Sequence, residues 1–189
     1  FNLYNILASI GASIASVIKH SDIINSISSF TNVPGRMEIV NASNSCYVII
    51  DYAHTPDAYN NVLSTIKKLT NKKIFTLFGC GGNRDRSKRS AMAKIANKYS
   101  EHLFITSDNP RNENIDNIIE DIVCEIKSIK YTIIKDREEA IELAIKKLDK
   151  DSLLLILGKG RDDYEIVGNN KIFHSDIKVI KNSINANRN

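Results

Sequence analysis

Leu103-Phe104-Ile105-Thr106-Ser107-Asp108-Asn109-Pro110-Arg111 is a short apolar run that stops at a polar loop. It reads as a buried strand and its exit. Pro110 has no N–H to give a sheet ladder, and it pushes Asn109 away from helical backbone angles. Arg111 then projects a planar, permanently charged fork from the carboxyl end of the strand, where open α/β sheets place their ligands. Taken alone, the stretch is more simply a turn with a solvated arginine. Three other polar loops that follow apolar runs in the same way tip the balance.

Working outward, the chain alternates between strand and helix patterns from residue 37 onward. Met37–Val40 and Tyr47–Ile50 read as a strand pair joined by the polar Asn41–Ser45 turn. A helix starts at Pro56, which suits a first helical turn, and runs to Leu69. Strand Ile74–Phe78 leads through a glycine-rich loop to a helix over Ser87–Tyr99. Strand Leu103–Thr106 precedes a helix over Ile115–Ile129. Strand Tyr131–Ile134, helix Arg137–Leu148, strand Leu153–Leu157 and a last helix over Asp176–Ile184 complete the series. Such alternation predicts an α/β fold, a Rossmann-like and mostly parallel sheet with helices on both faces. The first thirty residues differ. Leu3, Ile6, Leu7, Ile10, Ile14 and Val17 recur at helical spacing. His20-Ser21-Asp22 breaks that helix and offers N-caps for a second over Ile23–Phe30. Thr31 to Arg36, with Pro34-Gly35, suits a domain boundary.

A chain of 189 residues accommodates one full domain plus an appendage. No apolar run approaches the roughly 18–20 residues of a membrane span, and the start lacks the basic region of a secretory signal. It also lacks an initiator Met, so the chain reads as beginning inside a longer protein. Net charge is a modest +4, and the densest basic patch is Arg84, Arg86, Lys88 and Arg89. Without interleaved aromatics this patch suits an anionic small molecule better than nucleic acid. Cys46, Cys80 and Cys124 are odd in number and far apart, with no metal-ligand spacing. A reducing cytoplasm, no nucleic-acid or membrane partner and a monomer are the expectations.

Three further loops carry chemistry. Asp51-Tyr52-Ala53-His54-Thr55-Pro56 closes one strand; Asp51 there could accept hydrogen bonds from a ribose, or Asp51 and His54 could merely organise the turn. Gly79-Cys80-Gly81-Gly82-Asn83-Arg84-Asp85 lets backbone approach a ligand closely, and N–H groups ahead of a helix favour an anion. It is neither a Walker A loop nor G-x-G-x-x-G, and a glycine turn with solvated arginines is the plain alternative. Gly158-Lys159-Gly160-Arg161-Asp162-Asp163-Tyr164 combines glycines with dense charge, which suits a zwitterion.

In order, Phe1-Asn2-x-Tyr4-Asn5, Pro34-Gly35-Arg36-Met37-Glu38, Asp51-Tyr52-Ala53-His54-Thr55-Pro56-Asp57, Phe78 through Arg86, Asp108-Asn109-Pro110-Arg111 and Gly158-Lys159-Gly160 closely resemble the carboxy-terminal part of the Mur ligases. The match is to the branch that adds the third peptide residue, and it covers essentially the whole chain. The resemblance implies a three-domain enzyme of peptidoglycan precursor synthesis. Residues 1–33 would be the last helices of its central ATP-binding domain, and 34–189 the amino-acid-binding domain. It implies ATP and Mg2+ as cofactors, with a UDP-linked muramoyl dipeptide as acceptor. Asp-Asn-Pro-Arg is the loop of enzymes that add meso-diaminopimelate; those adding lysine usually lose the arginine. By motif match, Arg84, Asp108, Asn109, Pro110, Arg111, Gly158 and Asp162 would line the diaminopimelate site. Asn5 would contact adenine, with Arg36, Asp51 and His54 near phosphate or ribose. No catalytic residue or metal ligand is assigned. The central domain's P-loop and Mg-binding residues are not in this sequence, so the 189 residues by themselves are expected to be inactive.

The family usually reads Gly-Lys-Gly-His-Glu where this chain has Arg161-Asp162 in the last two places. Asp162 is one methylene shorter than Glu, which makes a bridging water an option, and Arg161 brings a positive charge close to where a cation should bind. A related Mur or folylpolyglutamate-type ligase, and a free-standing non-enzymatic amino-acid-binding module, are the alternatives.

Overall fold

A computed structural model describes residues 2–41, 47–127 and 130–186. The turn predicted over Asn41–Ser45 and Cys46 lie outside the described residues, apart from Asn41, which closes a strand. The chain divides into two units, Phe1–Val33 and Pro34–Asn189.

In the first unit, α1 (Asn2–Ala15) and α2 (His20–Ser29) form a short helical pair. Helix α1 stops before Val17 because Val17 adopts a left-handed φ of 60°, costly for a β-branched residue. Helix α2 begins earlier than predicted. Lys19 occupies its N-cap without a side-chain bond, and Asp22 falls inside the first turn, where a carboxylate favours the helix dipole.

The second unit holds a six-stranded sheet in the order β1-β2-β6-β3-β4-β5. Its strands are β1 (Glu38–Asn41), β2 (Tyr47–Asp51), β3 (Lys73–Phe78), β4 (His102–Ile105), β5 (Lys130–Ile133) and β6 (Ser152–Leu157). Only β1 runs antiparallel; every other pairing is parallel. The helices are α3 (Pro56–Leu69), α4 (Ser87–Tyr99), α5 (Ile115–Val123), α6 (Arg137–Lys146) and α7 (Asp176–Ala186). Helix α3 starts as its sequence dictates: Thr55 Oγ1 accepts from Ala58 N at 3.3 Å and Pro56 fills the first turn.

Strand β6 shows why the sheet is covered twice. Leu153, Leu155 and Leu157 join the apolar cluster under α3, α4 and α5, while Leu154 and Ile156 join the one under α6 and α7. Side chains alternate along a strand, so a continuous apolar run needs two covered faces. Each such side chain contributes about 1.5–3 kcal/mol when fully buried.

Two elements depart from the sequence reading. Helix α5 ends at Val123 rather than Ile129: Ile126 N bonds Val123 O and Ile126 is buried, so the chain turns early to reach β5, which pairs Leu103 with Tyr131. Residues 128–129 lie outside the description. An unpredicted hairpin, β7 (Tyr164–Val167) with β8 (Asn170–Phe173), follows β6 and turns at Gly168-Asn169. Among the described residues no helix is long and apolar enough to cross a membrane.

Candidate functional site

Four loops leave the carboxyl ends of β2, β3, β4 and β6 and close on one cleft of about 370 Å³. It is lined by Tyr52 and His54 from the first loop, Cys80, Gly81, Arg84 and Asp85 from the second, Asp108, Asn109 and Arg111 from the third, and Gly158 and Asp162 from the fourth. Lys88, Arg89 and Met92 of α4 complete it. The switch in strand order, where β6 returns between β2 and β3, opens this space.

The Asp108–Arg111 loop is stitched down on both sides. Gly82 N donates to Asn109 O at 3.0 Å, and the backbone approach is so close that a Cβ on Gly82 would lie 1.8 Å from Pro110 O. On the other side Arg111 N donates to Ile166 O, Gly168 N to Arg111 O, and Ile166 N to Asn109 Oδ1. These bonds hold Asn109 and Arg111 at φ of 47° and 53°, left-handed angles that asparagine tolerates and arginine adopts uncommonly. Arg111 Nη1 donates to Gly82 O at 2.9 Å and Asn109 O at 3.2 Å. No partner among the described residues takes the Nε and Nη2 edge of the fork.

Asp108 is buried beside Gly158, with Lys159 Nζ 3.6 Å from its Oδ1. Burial raises the Asp108 carboxyl above its ordinary value; Arg137 and Lys159 pull it back. Lys159 is buried too, donating to Tyr164 O at 2.7 Å and Asn109 Oδ1 at 3.3 Å. Burial lowers its pKa, and Asp108 opposes that most strongly. Asp162 lines the cleft close enough to raise the Tyr52 phenol. Arg161 turns away from this end: its guanidinium forks onto Glu38, so its charge is paired.

The basic patch is not the uniform surface its sequence implies. Arg89 is buried; its Nη atoms donate to Glu113 at 2.7 Å each, to Asp121 Oδ2 at 2.8 Å and to Gly81 O at 3.2 Å. Arg86 also pairs with Asp121, and Lys88 with Asp85. Arg84 alone of the four has no partner among the described residues. The Arg89 fork, with help from Asn83 N, holds Glu113 down to about 2, and Arg86 leads in lowering Asp121. Unfolded carboxyls titrate near about 3.9–4.3. The stability these groups contribute is therefore complete above about pH 4.5 and drains away as pH falls toward 2. Urea midpoints measured from pH 7 to pH 2.5 are expected to drop below pH 4.5, less steeply in Glu113→Gln; an unchanged acid slope in that variant would refute the assignment.

The nucleotide-side candidates are spread over three stretches of the chain. Asp51 is buried, and its oxygens accept Met37 N at 2.8 Å and Ala53 N at 2.7 Å. Those bonds organise its turn, one of the two roles its sequence position suggests. His54 is exposed, with Nδ1 2.8 Å from Tyr52 O, and it lines the same cleft as Asp108. Arg36 places its guanidinium 4.9 Å over the Tyr52 ring. Asn5 sits exposed in α1, its carbonyl accepting Ser9 Oγ. Lys88 entered the sequence reading only as part of the basic patch, and Tyr52 and Met92 were not singled out; spacing of one helical turn from Lys88 to Met92 was the available signal for Met92. Cys80 is buried, and burial pushes its thiol well up, away from nucleophilic use. Among the described residues no three His, Cys, Asp or Glu side chains converge as a metal cage.

Loops from four parallel strands thus bring Asp108, Asp162, Arg84 and Arg111 to the rim of one cleft, at the carboxyl edge of an α/β sheet. Residues 35–160 match the family described as Mur ligase, glutamate ligase domain, and the chain belongs to that family. It is 42% identical over 189 residues to the UDP-N-acetylmuramoyl-L-alanyl-D-glutamate–2,6-diaminopimelate ligase of Bacillus cereus, covering all of this chain and 38% of that protein. The same-named ligase of Blochmanniella floridana is 46% identical over 182 residues, or 95% of this chain and 36% of that one. A solved structure of such a ligase superposes with a TM-score of 0.79 at 29% identity, covering 100% of this chain and 39% of the other. The chain thus spans 36–38% of the length of these curated relatives.

Proposed function

We propose that this chain is the amino-acid-binding part of an ATP-dependent amide ligase that joins meso-diaminopimelate to UDP-N-acetylmuramoyl-L-alanyl-D-glutamate. The observation that carries the reading is the charge layout of the cleft. Meso-diaminopimelate ends in a carbon bearing both a carboxylate and an ammonium. Arg84 and the free Nε/Nη2 edge of Arg111 suit the carboxylate, in the bidentate geometry a guanidinium favours. Asp108, Asp162 and the backbone at Gly158 suit the ammonium. With that end fixed, the other amine is directed at the acceptor's carboxyl group.

The reaction in this reading begins with phosphorylation of the terminal D-glutamate carboxylate by ATP. The amine attacks the acyl phosphate, forming the amide and releasing phosphate. Holding a neutral amine and an activated carbonyl in attack geometry supplies much of the rate. When bound, Mg2+ would offset phosphate charge; the family resemblance assigns most of its ligands to the central ATP-binding domain. Residues 1–33 are read as the last helices of the ATP-binding domain. Asn5, Arg36, Asp51 and His54 are the nucleotide-side candidates.

The test is phosphate release by the full-length ligase carrying this chain, supplied with ATP, the UDP-linked dipeptide and one amino acid at a time. Meso-diaminopimelate is expected to be used at a kcat/KM at least about tenfold above that of L-lysine, the return on one charge-assisted contact. Equal use of both, or preference for glutamate, would overturn the reading.

A further inference from the structure

We propose that Arg137 is a positioning residue for the amino-acid end of the cleft, fixing the points at which Asp108 and Gly158 leave β4 and β6. The inference rests on the reading of the cleft given above. Arg137 opens α6, does not line the cleft, and its side chain is buried. Nε and Nη2 fork onto the two oxygens of Asp176, each at 2.8 Å. Asp176 opens α7, is equally buried, and lies 2.7 Å from His174 Nε2. The guanidinium also reaches two backbone carbonyls: Nη1 donates to Ser107 O at 3.2 Å and Nη2 to Leu157 O at 3.3 Å.

Ser107 directly precedes Asp108, and Leu157 directly precedes Gly158. The two residues those carbonyls lead into touch each other, since a Cβ placed on Gly158 would lie 2.4 Å from Asp108 Oδ2. One planar group therefore sets the spacing between the carboxylate and the backbone that would read the ammonium. Stability alone is a poor reason for such a pair, because well-packed apolar residues often replace buried ion pairs at no cost. The fork explains the choice of arginine. Five donors fixed in one plane can serve a carboxylate and two carbonyls together, which a lysine ammonium cannot.

Two variants of the full-length ligase test this. Arg137→Lys keeps a cation beside Asp176 but loses the fork. The double variant Arg137→Met/Asp176→Leu removes both members of the buried ion pair together and leaves Lys159 beside Asp108, and so preserves a route to a folded enzyme. In both, KM for the incoming amino acid is expected to rise about tenfold, while kcat and the KM values for ATP and the UDP-linked dipeptide move less than about twofold. Such a split does not follow from a general loss of structure. The proposal is overturned if amino-acid KM stays at its original value, or if all parameters worsen together with a falling Tm. Should the unaltered ligase reject amino acids with a distal ammonium, the functional reading fails. The Arg137 variants are then scored by the same KM split on whichever amino acid the enzyme accepts, so the two failures are separable.

Discussion

Gly158→Ala is expected to lower kcat/KM for the incoming amino acid by roughly ten- to a hundredfold, the cost of one displaced charge-assisted contact of about 1.5–3 kcal/mol. Gly158 sits at φ 110°, and its missing Cβ is the space that Asp108 Oδ2 occupies. An alanine meets both difficulties. The backbone angle is one that L side chains rarely adopt, at about 1–3 kcal/mol of strain, and the methyl group must push the buried carboxylate aside. Asp108 cannot retreat freely, because Lys159 lies against its other oxygen. The effect should fall on amino-acid KM, with the KM for ATP little changed, and Tm should drop modestly. Amino-acid KM at its original value in a folded Gly158→Ala enzyme would show that Asp108 does not read the substrate. Gly82→Ala is a useful contrast. Its Cβ would strike the Pro110 carbonyl, which is backbone, so its damage should appear mainly as lost stability.

The parts of the fold that were legible in the sequence are those whose signal is local. Leu153 to Leu157 is a continuous apolar run because both sheet faces are covered, and Thr55-Pro56 announces α3 through its own cap. Strand ends located the loops, and the loops located the cleft. The β7–β8 hairpin was missed because its strands are four residues long, β8 is wholly exposed, and their charged residues blur any alternation. The Gly168-Asn169 pair between two β-favouring runs was the signal that could have shown it. Side-chain employment was the least legible layer. Asp51 is claimed by Met37 N, 14 residues away, and Arg89 by Glu113, 24 residues away. Arg161, whose charge looked adverse from its neighbours, is paired with Glu38 at a separation of 123 residues. No local pattern encodes such pairings; they exist only once the sheet order has been set.

Arg111→Ala separates recognition of the distal carboxylate from support of the loop. Diaminopimelate differs from lysine by that one carboxylate, so a site preferring it must reward the extra charge. In the full-length ligase the substitution is expected to lower kcat/KM for meso-diaminopimelate by roughly ten- to a hundredfold, and for lysine much less. The geometry also supplies the competing outcome. Arg111 Nη1 braces the loop through Gly82 O and Asn109 O, and losing that brace would penalise every amino acid alike. Backbone strain does not confuse the comparison, since alanine and arginine carry the same Cβ at φ 53°. Measuring both substrates on both proteins therefore isolates the free Nε/Nη2 edge. A loss confined to diaminopimelate assigns that edge to its carboxylate, whereas an equal loss for both amino acids would make Arg111 a loop brace and remove the basis for the specificity.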